Sequence, residues 1–177
     1  YLFLRLVKPT VPLLRPYVET AVSGIQGLLS NAELQLRPDD TMYLFETIGL
    51  LLGKTGLDPN DQLRYLTSVI TPHMMSIEKI LSSIHVMQNE SEHCGEALSV
   101  SLAAVAHLSK GFNKAEPVKL VLTETLPISL KVLEALPNVE RVRNKSMILL
   151  QRMIQCVGKD VLPFIPRYLD LLIRYCT

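Results

Sequence analysis

Apolar residues recur along this chain at intervals of three and four, the spacing that places side chains on one face of an α-helix. Between residues 119 and 168 this pattern is interrupted twice, at Pro137 and at Gly158, and it resumes near Leu162. No stretch alternates in the way that predicts a β-strand. A short pair of amphipathic helices cannot bury its own apolar faces, and the chain is therefore expected to stack such pairs on one another.

Prolines set in apolar sequence mark the repeating unit. Pro16, Pro72, Pro127 and Pro166 each lie in the first helix of a predicted pair. A first helix with a Leu-Pro step, followed by a helix that opens with Val-Arg, is typical of HEAT hairpins. The pattern predicts an all-α fold, a right-handed HEAT-repeat solenoid of antiparallel helix pairs. We expect one repeat segment over 1–177, a fragment of a longer superhelical receptor, with pairs at about 10–54, 58–111 and 117–157 and another starting at 160–177.

Local signals refine these helices. Asp39 or Asp40 is predicted to cap one helix, because a carboxylate can accept its free amide protons. Asp58 is predicted to cap the next helix, which has Pro59 in its first turn and runs to about Gln88. The first helix should end at the step from Lys8 to Pro9.

Small residues inside helical stretches predict close helix packing. A glycine inside a helix costs about 1 kcal/mol relative to alanine, so Gly49 is expected to mark a close contact with another helix. Gly95, Ser99 and Ala103 follow one another at intervals of four, and a neighbouring backbone should approach them.

Composition narrows the classes of partner. Hydrophobic residues make up 48% of the chain and aromatic residues 6%, which suits helices packed on several sides. Eighteen Lys and Arg against 17 Asp and Glu give a net charge of +1, so any nucleic-acid binding must come from a local patch. No apolar run approaches the roughly 18 residues that span a bilayer, and we expect no membrane insertion. Cys94, Cys156 and Cys176 are expected to be reduced, buried thiols.

Enzyme chemistry has little support in the sequence. No glycine-rich phosphate loop follows a strand pattern, and no serine or threonine lies in a nucleophile elbow. His85, His93 and Cys94 form the one candidate metal cluster, and ordinary structural roles are favoured for them. We predict neither enzymatic activity nor a cofactor.

One basic stripe remains as a candidate binding site. At 100° per residue, Arg141, Lys145 and Arg152 fall within about 40° of each other on a polar helix face, and could hold phosphates. The alternative is a solvated surface with Glu140 and other acids nearby. Arg143 is set apart, since this position in HEAT hairpins ties neighbouring hairpins through acidic partners.

Three blocks of sequence resemble, in this order, the middle region of the tRNA exportin (exportin-T) family within the karyopherin-β superfamily. They lie at residues 1–8 (Tyr-Leu-Phe-Leu-Arg-Leu-Val-Lys), 39–51 (Asp-Asp-Thr-Met-Tyr-Leu-Phe-Glu-Thr-Ile-Gly-Leu-Leu) and 161–166 (Val-Leu-Pro-Phe-Ile-Pro). Together they span nearly the whole chain. The loop at 30–38 is short for that family.

The resemblance implies a nuclear transport receptor that binds tRNA together with RanGTP and passes the pore through FG-repeat proteins. GTP would enter only through Ran, and no obligate homo-oligomer is expected. Such a receptor shuttles between nucleus and cytoplasm, and the second helix of each pair lines its concave side. The stripe would then contact the RNA backbone. The alternative is a HEAT scaffold with protein-only partners.

Overall fold

The computed structural model describes residues 1–31, 33–84, 91–113 and 116–175. Within these residues every regular element is helical. The end predicted for one helix near Gln88 lies outside the described residues, as do Asn89, His85 and Cys176. The α-helices are α1 (Leu2–Thr10), α2 (Val18–Ser30), α3 (Pro38–Lys54), α4 (Pro59–Ser83), α5 (Ser91–Leu108), α6 (Lys119–Ala135), α7 (Glu140–Val157) and α8 (Ile165–Tyr175).

The helices form two layers. In one layer α1 contacts α3, α3 contacts α5 and α5 contacts α7; we call this the second-helix layer. The first-helix layer holds α2, α4, α6 and α8, in which α4 contacts α6 and α6 contacts α8. Contacts between the layers join α2 to α3, α4 to α5 and α6 to α7. This is the arrangement of stacked helix pairs, and it confirms the predicted all-α solenoid.

A continuous apolar core runs between the layers. The short connection between α6 and α7 turns the chain back on itself, so the apolar faces of these two helices meet. Fully buried residues recur on every helix from α3 to α8, which keeps the core unbroken along the stack. They include Ile48, Leu52, Leu66, Ile77, Leu98, Leu102, Leu122, Leu126, Val142, Leu149 and Tyr168.

The closest contact between helices lies where α3 crosses the end of α5. A Cβ built on Gly49 would stand 1.9 Å from the carbonyl oxygen of Leu108, and one built on Gly53 would stand 2.1 Å from that of Gly111. A Cβ on Gly111 would in turn stand 1.8 Å from the oxygen of Gly49. Backbone therefore packs directly on backbone, and the predicted role of Gly49 is confirmed. We call these three glycines the glycine crossing.

Gly95 marks a second close approach, to the residue before α7. A Cβ there would lie 2.8 Å from the Cγ1 atom of Val139. The close packing expected at Gly95 is present, but the neighbouring atoms belong to a side chain and not, as predicted, to a backbone. This approach differs in that respect from the glycine crossing.

The helix ends agree only partly with the predictions. Asp58 caps α4, since its Oδ1 accepts the amide of Asn60 at 2.9 Å. The predicted cap of α3 was wrong: Arg37 takes the capping position, Pro38 opens the helix, and both predicted acids lie in its first turn. There they still meet the positive end of the helix dipole.

The region around the first prolines also departs from prediction. Helix α1 continues through Pro9 to Thr10, because a proline in the last turn removes only one helical hydrogen bond. Pro12 and Pro16 lie in short 3₁₀ turns, and α2 begins only at Val18.

Candidate nucleic-acid interface

The predicted basic stripe lies along the seam between α5 and α7. Helical spacing puts Arg141, Lys145 and Arg152 on one face of α7, and two of these side chains reach residues of α5 or of the turn that follows it. Arg141 meets the start of α5 and Arg152 meets its end, so the two helices run in the same direction. The stripe is therefore a seam between successive repeats, and its three cations have different surroundings.

Arg141 faces two glutamates of α5. Its Nη1 lies 3.6 Å from the Oε1 of Glu96, and its Nη2 lies 3.9 Å from the Oε2 of Glu92. All three side chains are largely exposed, so these ion pairs contribute at most about 1 kcal/mol to stability. The guanidinium stays accessible to another anion.

Arg152 is held by the turn after α5. Its Nη2 donates to the carbonyl oxygen of Ser109 at 2.9 Å, its Nε donates to the Ser109 hydroxyl at 3.4 Å, and its Nη1 donates to Gln155. All three nitrogens thus have protein acceptors. This arginine satisfies a carbonyl at a helix end, which is a structural task.

Lys145 is half-buried and makes no ion pair among the described residues. It lies between Arg141, which has exposed acidic neighbours, and Arg152, which has a protein acceptor at each of its three nitrogens. Binding of nucleic acid by this stripe stays a prediction, with Lys145 as its best placed member.

Arg143 has a different role from the one predicted. Its Nη1 donates at 2.8 Å to the carbonyl oxygen of Pro137, in the turn that precedes its own helix. The prediction of an acidic partner in a neighbouring hairpin was wrong for the described residues. The side chain instead fixes the turn between α6 and α7.

A group of four side chains in the second-helix layer was missed by sequence reasoning. The Glu46 carboxylate of α3 lies 3.0 Å from the Lys8 Nζ of α1 and 2.8 Å from the Lys110 Nζ of the turn after α5. His107 completes the group, with its Nδ1 3.2 Å from the Lys110 Nζ. We call these residues the Glu46 cluster. It joins three successive members of the layer.

The charge state of the cluster follows from its surroundings. Burial alone would raise the pKa of Glu46, but hydrogen bonds from Lys110 and Lys8 outweigh it and lower that pKa. Burial and the charge of Lys110 lower the pKa of His107 to about 4. At neutral pH the imidazole is therefore uncharged.

Because the imidazole of His107 is neutral, the nature of two of its contacts can be assigned. Lysine can only donate, so the Lys110 ammonium donates to the unprotonated Nδ1 of His107. The Nδ1 also lies 3.8 Å from a Glu46 oxygen, but without a proton this contact is no ion pair at neutral pH. Two ammonium groups then face a single carboxylate, which leaves a net positive charge in the cluster.

Positive charge accumulates around this cluster. The charges of Lys145 and Arg152 in α7 also act on His107 and lower its pKa. Two members of the second-helix layer, α1 and α7, and the turn after α5 thus contribute cations to one region, where the nearby carboxylate is that of Glu46. Such a region attracts anions, and phosphates above all.

The remaining predicted chemistry finds no counterpart in the described part of the chain. Within those residues no three His, Cys, Asp or Glu side chains come together as metal ligands. Cys94 and Cys156 are buried free thiols, and the Cys156 Sγ donates to the carbonyl oxygen of Phe112 at 3.2 Å. No helix among the described residues is both long and apolar enough to cross a membrane.

Comparisons with known proteins give one consistent result. The family model described as Exportin-T matches residues 1–177. Proteins named Exportin-T from Arabidopsis thaliana, Mus musculus and Homo sapiens are 30%, 26% and 25% identical to this chain over 98%, 99% and 99% of its length. The match covers 19%, 20% and 20% of those proteins, so the chain spans about a fifth of their length.

Proposed function

The chain belongs to the Exportin-T family, and from this premise we propose that it is a segment of a nuclear export receptor for tRNA. In this proposal the full-length receptor binds tRNA cooperatively with RanGTP in the nucleus and carries it through the pore to the cytoplasm. The observation that carries the proposal is the match of one family model to every residue of the chain.

The fold suits a receptor that encloses its cargo. A stack of helix pairs presents the side chains of one layer along a continuous surface, and small rotations between pairs set its curvature. The Glu46 cluster and Lys145 supply positive charge to one layer, as expected of a surface that faces RNA. Lysines bind phosphates without reading bases, which suits a receptor whose tRNA cargoes differ in sequence.

Transport requires no chemistry from this chain. GTP is bound and hydrolysed by Ran, and the receptor needs no cofactor of its own. Cargo and RanGTP favour the same curvature of the solenoid, so each strengthens the binding of the other, by about 1 to 3 kcal/mol in typical coupled systems. Contacts with FG-repeat proteins allow passage through the pore, and the receptor shuttles between nucleus and cytoplasm.

Binding of labelled tRNA to the full-length protein that carries this chain tests the proposal. We expect tight binding only with RanGTP, and affinity should fall as salt rises, because RNA binding releases counterions. RanGDP is the matched control and should leave binding weak. Salt-insensitive binding, or none in the presence of RanGTP, would favour the alternative of a HEAT scaffold with protein partners.

A further inference from the structure

We propose that Lys8 and Lys110 form a phosphate-binding site on the second-helix layer, in which Glu46 positions the two ammonium groups. The ligand is the sugar-phosphate backbone of RNA. The choice of ligand rests on the proposed function above. The site itself rests on the geometry and charge of this region, and it is centred outside the stripe predicted on α7.

The two lysines are held as a pair. Lys8 and Lys110 contact different oxygens of one carboxylate, at 3.0 Å and 2.8 Å. Their side chains stay 53% and 36% exposed, whereas the side chain of Glu46 is only 11% exposed. The carboxylate thus lies beneath the two ammonium groups and leaves them open to solvent.

Both ammonium groups retain protons for a ligand. Each lysine has three N–H donors. Lys8 uses one on Glu46, while Lys110 uses one on Glu46 and one on His107. Both lysines can therefore donate to a phosphate group while the carboxylate stays in place. A flexible lysine loses side-chain entropy when it binds a ligand. A lysine that the protein already restrains loses less entropy on binding.

The charge balance favours an anionic ligand. Two ammonium groups face one carboxylate, and the neutral His107 contributes no further negative or positive charge. Lys145 lies on α7, the next helix of the same layer after α5. The two lysines come from α1 and from the turn after α5, which lie on either side of α3 in this layer. The site is thus extended along the stack, as a polyanion requires.

The test uses the full-length protein with RanGTP and labelled tRNA, titrated at several salt concentrations. In Lys8→Gln/Lys110→Gln we expect weaker binding at low salt. The slope of log affinity against log salt should decrease by about 2, one for each phosphate that the variant no longer neutralises. The matched control is Lys79→Gln/Lys131→Gln, which removes two exposed lysines from the first-helix layer and should leave the slope unchanged.

A second variant tests the positioning role of Glu46. Glu46→Gln removes a negative charge, so a site that acts only through its overall field would bind tRNA more tightly. If the carboxylate positions the two lysines, affinity falls instead. Unchanged or tighter binding would overturn the positioning role. Circular dichroism and thermal unfolding of each variant separate a defect in binding from a defect in folding.

The outcomes distinguish the site from the receptor function. If the wild-type protein binds tRNA and the lysine variant keeps its affinity and slope, the site is wrong and the function stands. If the wild-type protein binds no tRNA but binds inorganic polyphosphate, and the lysine variant fails to bind polyphosphate, the site stands and the function fails. If the lysine variant fails to bind an acidic peptide that the wild-type protein binds, while its RNA binding is intact, RNA is overturned as the ligand.

Discussion

Replacing Gly49 by alanine tests the packing that holds two successive repeats together. In most helices this change is favourable, because glycine is about 0.8 to 1 kcal/mol worse than alanine in a helix interior. At Gly49 the added Cβ would stand 1.9 Å from the carbonyl oxygen and 2.8 Å from the carbonyl carbon of Leu108. These are backbone atoms, which cannot rotate away as a side chain can.

The magnitude follows from the movement that the new methyl group requires. Ordinary contact begins near 3.4 Å, so α3 and the end of α5 must separate by about 1.5 Å at the glycine crossing. A gap of about 1 Å already removes about half of the dispersion energy across it. Overpacking a core costs about 1 to 3 kcal/mol, and a contact between two backbones belongs at the upper end. After the gain in helix propensity, we expect Gly49→Ala to lower the free energy of unfolding by about 2 kcal/mol.

Gly27 in α2 provides the matched control. It is also helical, but a Cβ built there meets nothing within 4 Å. Gly27→Ala should raise the free energy of unfolding by up to about 1 kcal/mol. The assay is urea unfolding of both variants and the wild-type chain, followed by far-UV circular dichroism. Equal stability of the two variants would show that the backbones at the glycine crossing are not in contact, and the reasoning would fail.

Three further predictions concern other contacts. His107 has a folded pKa of about 4 against an ordinary value of 6.5, so unfolding takes up a proton in this range and stability should fall as pH drops from about 6.5 toward 4. Glu46 adds to this decline below its ordinary pKa of 4.5, because its folded pKa is lower. Urea midpoints measured against pH should show a shallower decline in His107→Gln; an identical decline would contradict the assignment. Arg152→Ala should lower the free energy of unfolding by about 1.5 to 3 kcal/mol, since it leaves the Ser109 carbonyl without its charged donor. Lys145→Glu should change the free energy of unfolding by no more than about 0.5 kcal/mol and yet weaken tRNA binding. The reverse order of stabilities would refute this division of roles. Burial raises the pKa of Cys156, so its thiol should react with a thiol reagent only after the chain unfolds. Mass spectrometry of the labelled peptides measures this reaction. Rapid labelling of the native chain would disprove the burial of Cys156.

The spacing of apolar residues predicted the helices and their stacking well. Each helix needs one apolar face toward its partner, and the spacing of apolar residues within the helix itself determines that face. Gly49 was interpreted correctly for a similar reason, because a glycine inside a helix carries a local cost that close packing explains. The ends of helices were predicted less well, since Pro38 and Arg37 competed with the two acids that follow them.

The contacts between repeats could not be predicted from the sequence. The Glu46 cluster could not be predicted, because Lys110 lies 64 positions from Glu46 and helical spacing does not reveal which residues of two stacked helices meet. The three cations of α7 were correctly placed on one face. Their different surroundings depend on how α7 is rotated against α5, which no pattern within α7 alone determines.

The glycine crossing also bears on how the solenoid can flex. At this crossing carbonyl groups and Cα atoms of two helices touch without any side chain between them, so sliding or twisting there meets hard atoms at once. The next junction, between α5 and α7, includes a valine side chain that can change rotamer and absorb movement. We therefore expect elastic compliance to be uneven along the stack, with a stiff junction between α3 and α5 and with changes of pitch occurring more readily at the junction between α5 and α7.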